Sequence, residues 1–136
     1  MAQEMVVTFP GGVRVNAASD GFEIATDQST EDGGDGTAPP PYDLFLASLA
    51  TCAGFYALRF CQKRDLPTEG LRIVQSWQRE EGSKRLARIT LQIEPPVGFP
   101  DKYVQALVRS AEQCAVKKTL ADPPEIVTEV VKRPGD

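Results

Sequence analysis

The sequence predicts an α+β fold in which antiparallel sheets surround a long central buried helix. Strand-like segments occur in adjacent groups separated by turns, as in β-meanders, and do not alternate with helices as in βαβ units. Between two such groups lies a long run of apolar and small residues that follows three prolines, which is typical of a buried helix. A second helix with one apolar stripe is predicted after Pro100. The expected order is β-β-β-α-β-β-α-β in a single domain, residues 1–136.

The first group of strands covers residues 6–9, 13–17 and 22–26. A proline and two glycines join the first two as a hairpin, and a Ser-Asp-Gly turn precedes the third. Residues 27–41 then contain three glycines and end in three consecutive prolines, which indicates a loop. A loop of this length in so small a domain is often functional.

The long helix is expected to follow the prolines and to end at Lys63 or Arg64. Asp43 lies in or near its first turn, where a carboxylate suits the helix dipole. Its most apolar part, residues 44–58, is interrupted by polar residues and, at 15 residues, is too short to span a bilayer. We therefore expect a protein core helix and no membrane partner.

The second half of the chain is predicted to contain two strands, a helix and a last strand. The paired strands cover residues 71–79 and 85–94, and the second of them alternates apolar and polar side chains. The helix after Pro100 has an apolar stripe that ends at Cys114 or Ala115. The last strand is expected at residues 126–131.

Composition excludes several classes of function. The formal net charge is −4, and 15 Lys and Arg are scattered among 19 Asp and Glu, which argues against a nucleic-acid or anionic-membrane partner. The sequence has no histidine, so it has no Ser-His-Asp or Cys-His catalysis, and three cysteines alone make a poor zinc site. We expect no metal and no cofactor. Sparse cysteines and an N-terminus without the features of a signal peptide predict a cytoplasmic protein.

Three cysteines, Cys52, Cys61 and Cys114, are the candidates for chemistry. Cys61 follows Cys52 by nine residues, which places it on roughly the opposite side of the helix and about 13 Å along the axis. These two cannot form a disulfide, so a pair would join Cys114 to either of them. The alternative is that all three only fill the core. Because Cys52 lies in the middle of a helix, a reactive Cys52 would need a nearby cation.

Two segments of the sequence resemble the OsmC/Ohr family of osmotically inducible and organic hydroperoxide resistance proteins. Residues 33–52 contain a Gly-rich loop followed by Pro-Tyr-Asp-Leu and Cys52, similar to the family pattern P-x-[ED]-L-L-x-A-x-x-x-x-C. Residues 111–120 resemble the block around the second family cysteine, and residues 124–128 resemble the last strand. The resemblance covers nearly the whole chain and is closest to the OsmC-like branch.

The resemblance implies an OsmC-like fold, an intertwined homodimer and an active site at each subunit interface. Cys52 would attack a small organic peroxide, and Cys114 would resolve the resulting sulfenic acid as a disulfide. An external dithiol, in this family often a lipoyl group, would reduce the pair. The family activates the first thiolate with an arginine held by an acidic residue. Asp43 is the candidate acid and Arg14 the candidate arginine, although Arg14 is equally well explained as a solvated charge on a strand.

Three residues near the candidate site differ from those that are commoner in the family. Asp43 replaces the commoner Glu, Ala115 replaces the usual Pro, and Lys117 stands where many relatives have His. Lys117 would either bring positive charge near Cys114 or be a solvated lysine at a helix end. Two other functions remain open: a non-catalytic redox sensor of the same fold, and a small-molecule-binding dimer. Five aromatic side chains are either core residues or the lining of an apolar substrate pocket: Tyr42, Phe45, Phe55, Tyr56 and Phe99.

Overall fold

The computed structural model describes residues 3–135 and contains antiparallel strands and helices, which confirms the α+β fold class. The strands are β1 Val6–Gly11, β2 Arg14–Ser19, β3 Phe22–Thr26, β4 Arg72–Arg79 and β5 Leu86–Glu94, and the α-helices are α1 Pro41–Lys63, α2 Val104–Ala111 and α3 Ala115–Ala121. Short 3-10 helices cover Thr30–Asp32 and Asp101–Tyr103. The chain divides into two compact units, Met1–Ala50 and Thr51–Asp136, with the boundary inside α1. The single domain over residues 1–136 stays a prediction.

The first unit contains an antiparallel sheet with the order β1-β2-β3. Its three strands confirm the predicted meander. Ser19 pairs with Phe22, so Asp20 and Gly21 form a two-residue turn, with φ of 50° and 80°. Positive φ at both positions is the geometry that Asp-Gly favours in a hairpin. Large apolar side chains on this sheet remain exposed: Val6, Val7, Phe9, Phe22 and Ile24.

The glycine-rich loop between β3 and α1 is organised by Asp27, which sequence analysis did not single out. The Asp27 side chain is 1% exposed, and residues of its own loop help to cover it. Its carboxylate accepts hydrogen bonds from the Gln28 N–H at 2.8 Å, the Thr37 N–H at 3.0 Å and the Thr37 hydroxyl at 2.6 Å. These donors, the Thr37 hydroxyl first, lower the Asp27 pKa to about 2. A Cβ at Gly34 would lie 2.1 Å from the Gln28 carbonyl oxygen, so the loop closes only with glycine there.

Helix α1 begins at Pro41 and ends at Lys63, as predicted, with Asp43 in its first turn. Proline is favoured in the first helical turn, where its missing N–H is not needed. The buried side chains form one stripe along the helix: Leu46, Leu49, Ala53, Ala57, Phe60 and Cys61. The sequence of α1 is apolar on almost every side, which suggests burial all round. The side opposite the stripe is nevertheless exposed to solvent, since Phe55 is 55% exposed. Over its 23 residues α1 is long and apolar enough to cross a membrane by length and composition, a test that core helices of soluble proteins also pass.

The second unit packs α2 against α1 beside the β4–β5 hairpin. The two strands pair from Arg72↔Glu94 to Arg79↔Leu86, in agreement with prediction. The core is formed by Ala57, Phe60, Cys61 and Leu107. Six partly buried side chains pack around this core: Leu66, Leu71, Ile93, Phe99, Tyr103 and Ala106. Phe99 is therefore a core residue.

The prediction of one helix after Pro100 is wrong, because the chain forms two shorter helices with a turn between them. Helix α2 ends at Ala111, and Cys114 has φ −48° and ψ 124°, which is not helical. Cys114 is the N-cap of α3 and does not continue the apolar stripe of α2. The turn is closed by hydrogen bonds from the Gln113 N–H to the Ser110 carbonyl and from the Cys114 N–H to the Ala111 carbonyl.

The predicted last strand, residues 126–131, is also wrong for this chain, since the structure assigns no strand there. A strand needs a neighbour for its N–H and C=O groups, and the sheet described in the second unit pairs β4 with β5 alone. The apolar side chains of the segment are strongly exposed: Ile126 86%, Val127 68%, Val130 97% and Val131 76%.

Asp27→Asn is expected to lower the urea midpoint of unfolding at neutral pH, because it removes the charge that holds the loop donors. The pKa of Asp27 in the folded protein, about 2, lies below its ordinary value. The stabilisation is therefore present above about pH 4, where the unfolded carboxyl is ionised, and is lost as the pH falls toward the folded pKa. Wild type and variant should therefore converge in stability in acid. Glu31→Gln, an exposed change in the same loop, is the control; equal midpoints for all three proteins at pH 7 would contradict this role.

Candidate thiol site

Cys52 and Cys114 are brought together within the second unit. Their side chains are close enough for each thiol to affect the pKa of the other, and none of the three cysteines is in a disulfide. Cys52 projects from α1 and is half-buried, whereas Cys114, in the turn after α2, is 1% exposed. Of the two pairings that the sequence leaves open, the structure brings together 52 and 114.

The first turn of α3 supplies backbone N–H groups to both sulfurs. Those of Val116 and Ala115 favour the ionised form of the Cys52 sulfur and so lower its pKa, and that of Lys117 donates to the Cys114 Sγ at 3.4 Å. Near the start of a helix, N–H groups have no carbonyl partner within the helix, so they are available to an outside acceptor. The non-helical conformation of Cys114 is what aims these groups at the thiols.

These contacts separate the two thiols in acidity. The pKa of Cys52 is lowered, chiefly by the Val116 N–H and further by the Cys114 thiol and the Ala115 N–H, while burial opposes the change. The pKa of Cys114 is raised, chiefly by burial. Because a hydrogen bond to the charged form favours ionisation, these contacts favour the thiolate at Cys52 over a thiolate at Cys114. This difference favours Cys52 as the nucleophile of the pair, and that assignment stays a prediction.

Cys61 belongs to the core and not to this site. It is 0% exposed and packs with Ala57, Phe60 and Leu107. Burial raises its pKa, and nearby Arg64 offsets this only in part. Cys61 therefore matches the alternative in which a cysteine only fills the core as a buried, unreactive thiol.

The candidate charged residues lie in the first unit. Arg14 is exposed on β2 and donates from Nε to the Gly11 carbonyl at 3.3 Å. Asp43 is exposed in the first turn of α1. Within the described chain these two side chains form no ion pair with each other, so their assignment as activating residues stays a prediction.

The side chain of Lys117 does not supply a free positive charge near Cys114. Its Nζ forms an exposed ion pair with Glu112 at 3.0 Å, and only its backbone N–H reaches the thiol. Backbone N–H groups and the Cys114 thiol lower the Cys52 pKa, and no charged side chain is among the causes; the expectation that a reactive Cys52 needs a nearby cation stays a prediction.

Among residues 3–135 no group of three or more Cys, Asp and Glu side chains is arranged to hold a metal ion. The site itself consists of two adjacent thiols with different pKa shifts. Such a pair can pass between dithiol and disulfide.

A family model described as OsmC-like protein matches residues 34–129. Among solved structures, the chain is similar to a protein from Psychrobacter arcticus described as a candidate osmotic stress induced and detoxification response protein (24% identity, TM-score 0.73, 88% of each chain). It is also similar to an OsmC-like protein from Mycoplasma pneumoniae (17%, TM-score 0.70, 90% of this chain and 89% of that one). A third is an organic hydroperoxide resistance protein OsmC from Legionella pneumophila (20%, TM-score 0.55, 86% and 88%). No curated protein sequence matches. At these identities the structural likenesses establish the fold.

Iodoacetamide is expected to modify Cys52 at least about tenfold faster than Cys61 at pH 7, because Cys52 is both more ionised and more exposed. The midpoint of its pH–rate profile should lie below that of an ordinary thiol. Cys114→Ala should raise that midpoint, since it removes one donor and leaves the N–H groups of residues 115 and 116. Peptide mass spectrometry after timed quenching measures each site; equal rates at Cys52 and Cys61 would contradict the assignment.

Proposed function

The chain belongs to the OsmC-like protein family, and from that premise we propose that it is a thiol-dependent peroxidase that reduces organic hydroperoxides. Family membership supports a redox role related to peroxides, and the name of the Legionella neighbour points the same way. The observation that carries the proposal is that Cys52, whose pKa is lowered, lies next to Cys114, whose pKa is raised.

In the first step the Cys52 thiolate attacks the terminal oxygen of the hydroperoxide ROOH. The O–O bond breaks, the alkoxide takes up a proton and leaves as ROH, and Cys52 becomes a sulfenic acid. The backbone N–H groups of Ala115 and Val116 favour the thiolate that starts this step.

In the second step the sulfur of Cys114 attacks the sulfur of the Cys52 sulfenic acid. Hydroxide leaves, takes the Cys114 proton and forms water, and an S–S bond joins the two residues. An external dithiol, for example a lipoyl group, then supplies two electrons and two protons to restore both thiols. A cytoplasmic location, where dithiol reductants are maintained, is part of the proposal.

We assign Arg14 and Asp43 a supporting role in the same chemistry. A guanidinium is always charged and can stabilise both a thiolate and a leaving alkoxide, and a carboxylate can orient it. The support for this role is the family pattern around Asp43; the geometry of the first unit leaves both side chains exposed.

A homodimer with its active sites at the subunit interface is also part of the proposal. The support is the amount of apolar surface that one chain leaves open, both on the β1-β2-β3 sheet and along residues 126–131. Large exposed apolar patches are typical of protein interfaces. The apolar side chains of residues 126–131 are strongly exposed, which suits their burial against a second copy.

One equivalent of cumene hydroperoxide is expected to remove two thiols per reduced chain, those of Cys52 and Cys114. Cys52→Ser should abolish the loss, and Cys61→Ala should leave it unchanged, because Cys61 lies in the core. With dihydrolipoamide present, wild type should consume hydroperoxide continuously. A thiol count measures the first reaction and peroxide consumption the second. A disulfide that forms once without turnover would identify a redox sensor, and no thiol loss would contradict the peroxidase.

Ile126→Asp combined with Val130→Asp is expected to convert the dimer to monomer at micromolar concentration, because two charges would be buried in the interface. Light scattering coupled to size exclusion measures the mass. Lys132→Asp, which places the same group at an exposed polar position, is the control and should remain dimeric. A monomeric wild-type protein would contradict the proposed assembly.

A further inference from the structure

We propose that Ser110 is a positioning residue that holds Cys114 in register with Cys52, so that the two sulfurs can form a disulfide. The Ser110 hydroxyl donates a 3.3 Å hydrogen bond to the backbone carbonyl of Tyr56. This partly buried bond joins α2 to α1 within the second unit. The inference rests on the thiol chemistry proposed above and identifies a residue on which its second step depends.

The bond lies four residues along the chain from each cysteine. Tyr56 follows Cys52 by four residues on α1, and four residues advance a helix by about 6 Å. Cys114 likewise follows Ser110 by four residues. The Ser110 carbonyl accepts the Gln113 N–H at 3.1 Å, which closes the turn before Cys114. Ser110 therefore contacts α1 through its hydroxyl and holds the turn through its carbonyl.

Apolar packing alone would not fix the register of the two helices. Leu107 and Ala111, on either side of Ser110, are buried, and Leu107 packs with Ala57 and Phe60. Such contacts are non-directional and tolerate small sliding and rotation. A disulfide is less tolerant, since its Cβ atoms must lie about 3.5–4.5 Å apart and its dihedral must be near ±90°. A directional bond between the helices supplies the missing constraint.

The contact can be removed without leaving a buried acceptor unpaired. The Tyr56 carbonyl lies within α1, where the helical pattern also gives it the N–H of residue 60. A carbonyl oxygen accepts two bonds, so Ser110→Ala takes away one of two. We therefore expect this variant to fold. Ser110→Thr keeps the hydroxyl and is the matched control.

The test measures the equilibrium between dithiol and Cys52–Cys114 disulfide in glutathione buffers, by alkylation and mass spectrometry of the full chain. Ser110→Ala is expected to lower the equilibrium constant for the disulfide about two- to tenfold, the range set by one hydrogen bond. Ser110→Thr should restore it. With cumene hydroperoxide, the first loss of the Cys52 thiol should keep its wild-type rate, while disulfide appears more slowly and dimedone traps more sulfenic acid.

The outcomes separate this role from its alternatives. An unchanged equilibrium constant in Ser110→Ala overturns the proposal, even if the urea midpoint falls, because the residue would then be merely structural. A fall that Ser110→Thr does not reverse also overturns it. If hydroperoxide leaves the thiols intact but the glutathione equilibrium shifts as expected, the peroxidase function fails and the positioning role stands.

Discussion

The contact of the Cys52 and Cys114 thiols at the first turn of α3 is the interaction on which the proposed chemistry depends. The donors there belong to the main chain, at residues 115, 116 and 117. Main-chain donors cannot rotate away as a long side chain can, so the preference for a charged Cys52 persists for as long as the turn remains folded. Uncharged main-chain N–H groups thus lower the Cys52 pKa, an effect that was expected from a cation.

Much of the fold could be predicted because its signals are local. The Asp-Gly turn between β2 and β3 needs positive φ at both positions, and this is visible in two letters of sequence. Pro41 and the apolar run after it set the start and the character of α1. The pairing of Cys52 with Cys114 could be narrowed from helical geometry to two possibilities, and the structure selects one.

The remaining features depend on contacts that distant residues make. The break before α3 interrupts a segment whose apolar spacing suits one helix, and the hydrogen bonds of the turn decide it. Asp27 looks like an ordinary loop residue until Thr37 folds back to it. Residues 126–131 have the composition of a strand, but strand formation requires a neighbour that its own unit does not offer. The composition of a segment indicates a preference for the strand conformation, but a strand forms only where its backbone groups pair with a neighbour.

The capping role of the Cys114 sulfur has a consequence for motion during turnover. Helix α3 has seven residues, none of them buried, and the side chain that caps its start is the sulfur that would enter the disulfide. To form the disulfide, the Cys114 sulfur must adopt the distance and dihedral that an S–S bond to Cys52 requires, so the hydrogen bond that it accepts from the Lys117 N–H changes on oxidation. Each catalytic cycle would therefore alter and restore one end of a short helix, and amide exchange there would vary with the oxidation state of the protein.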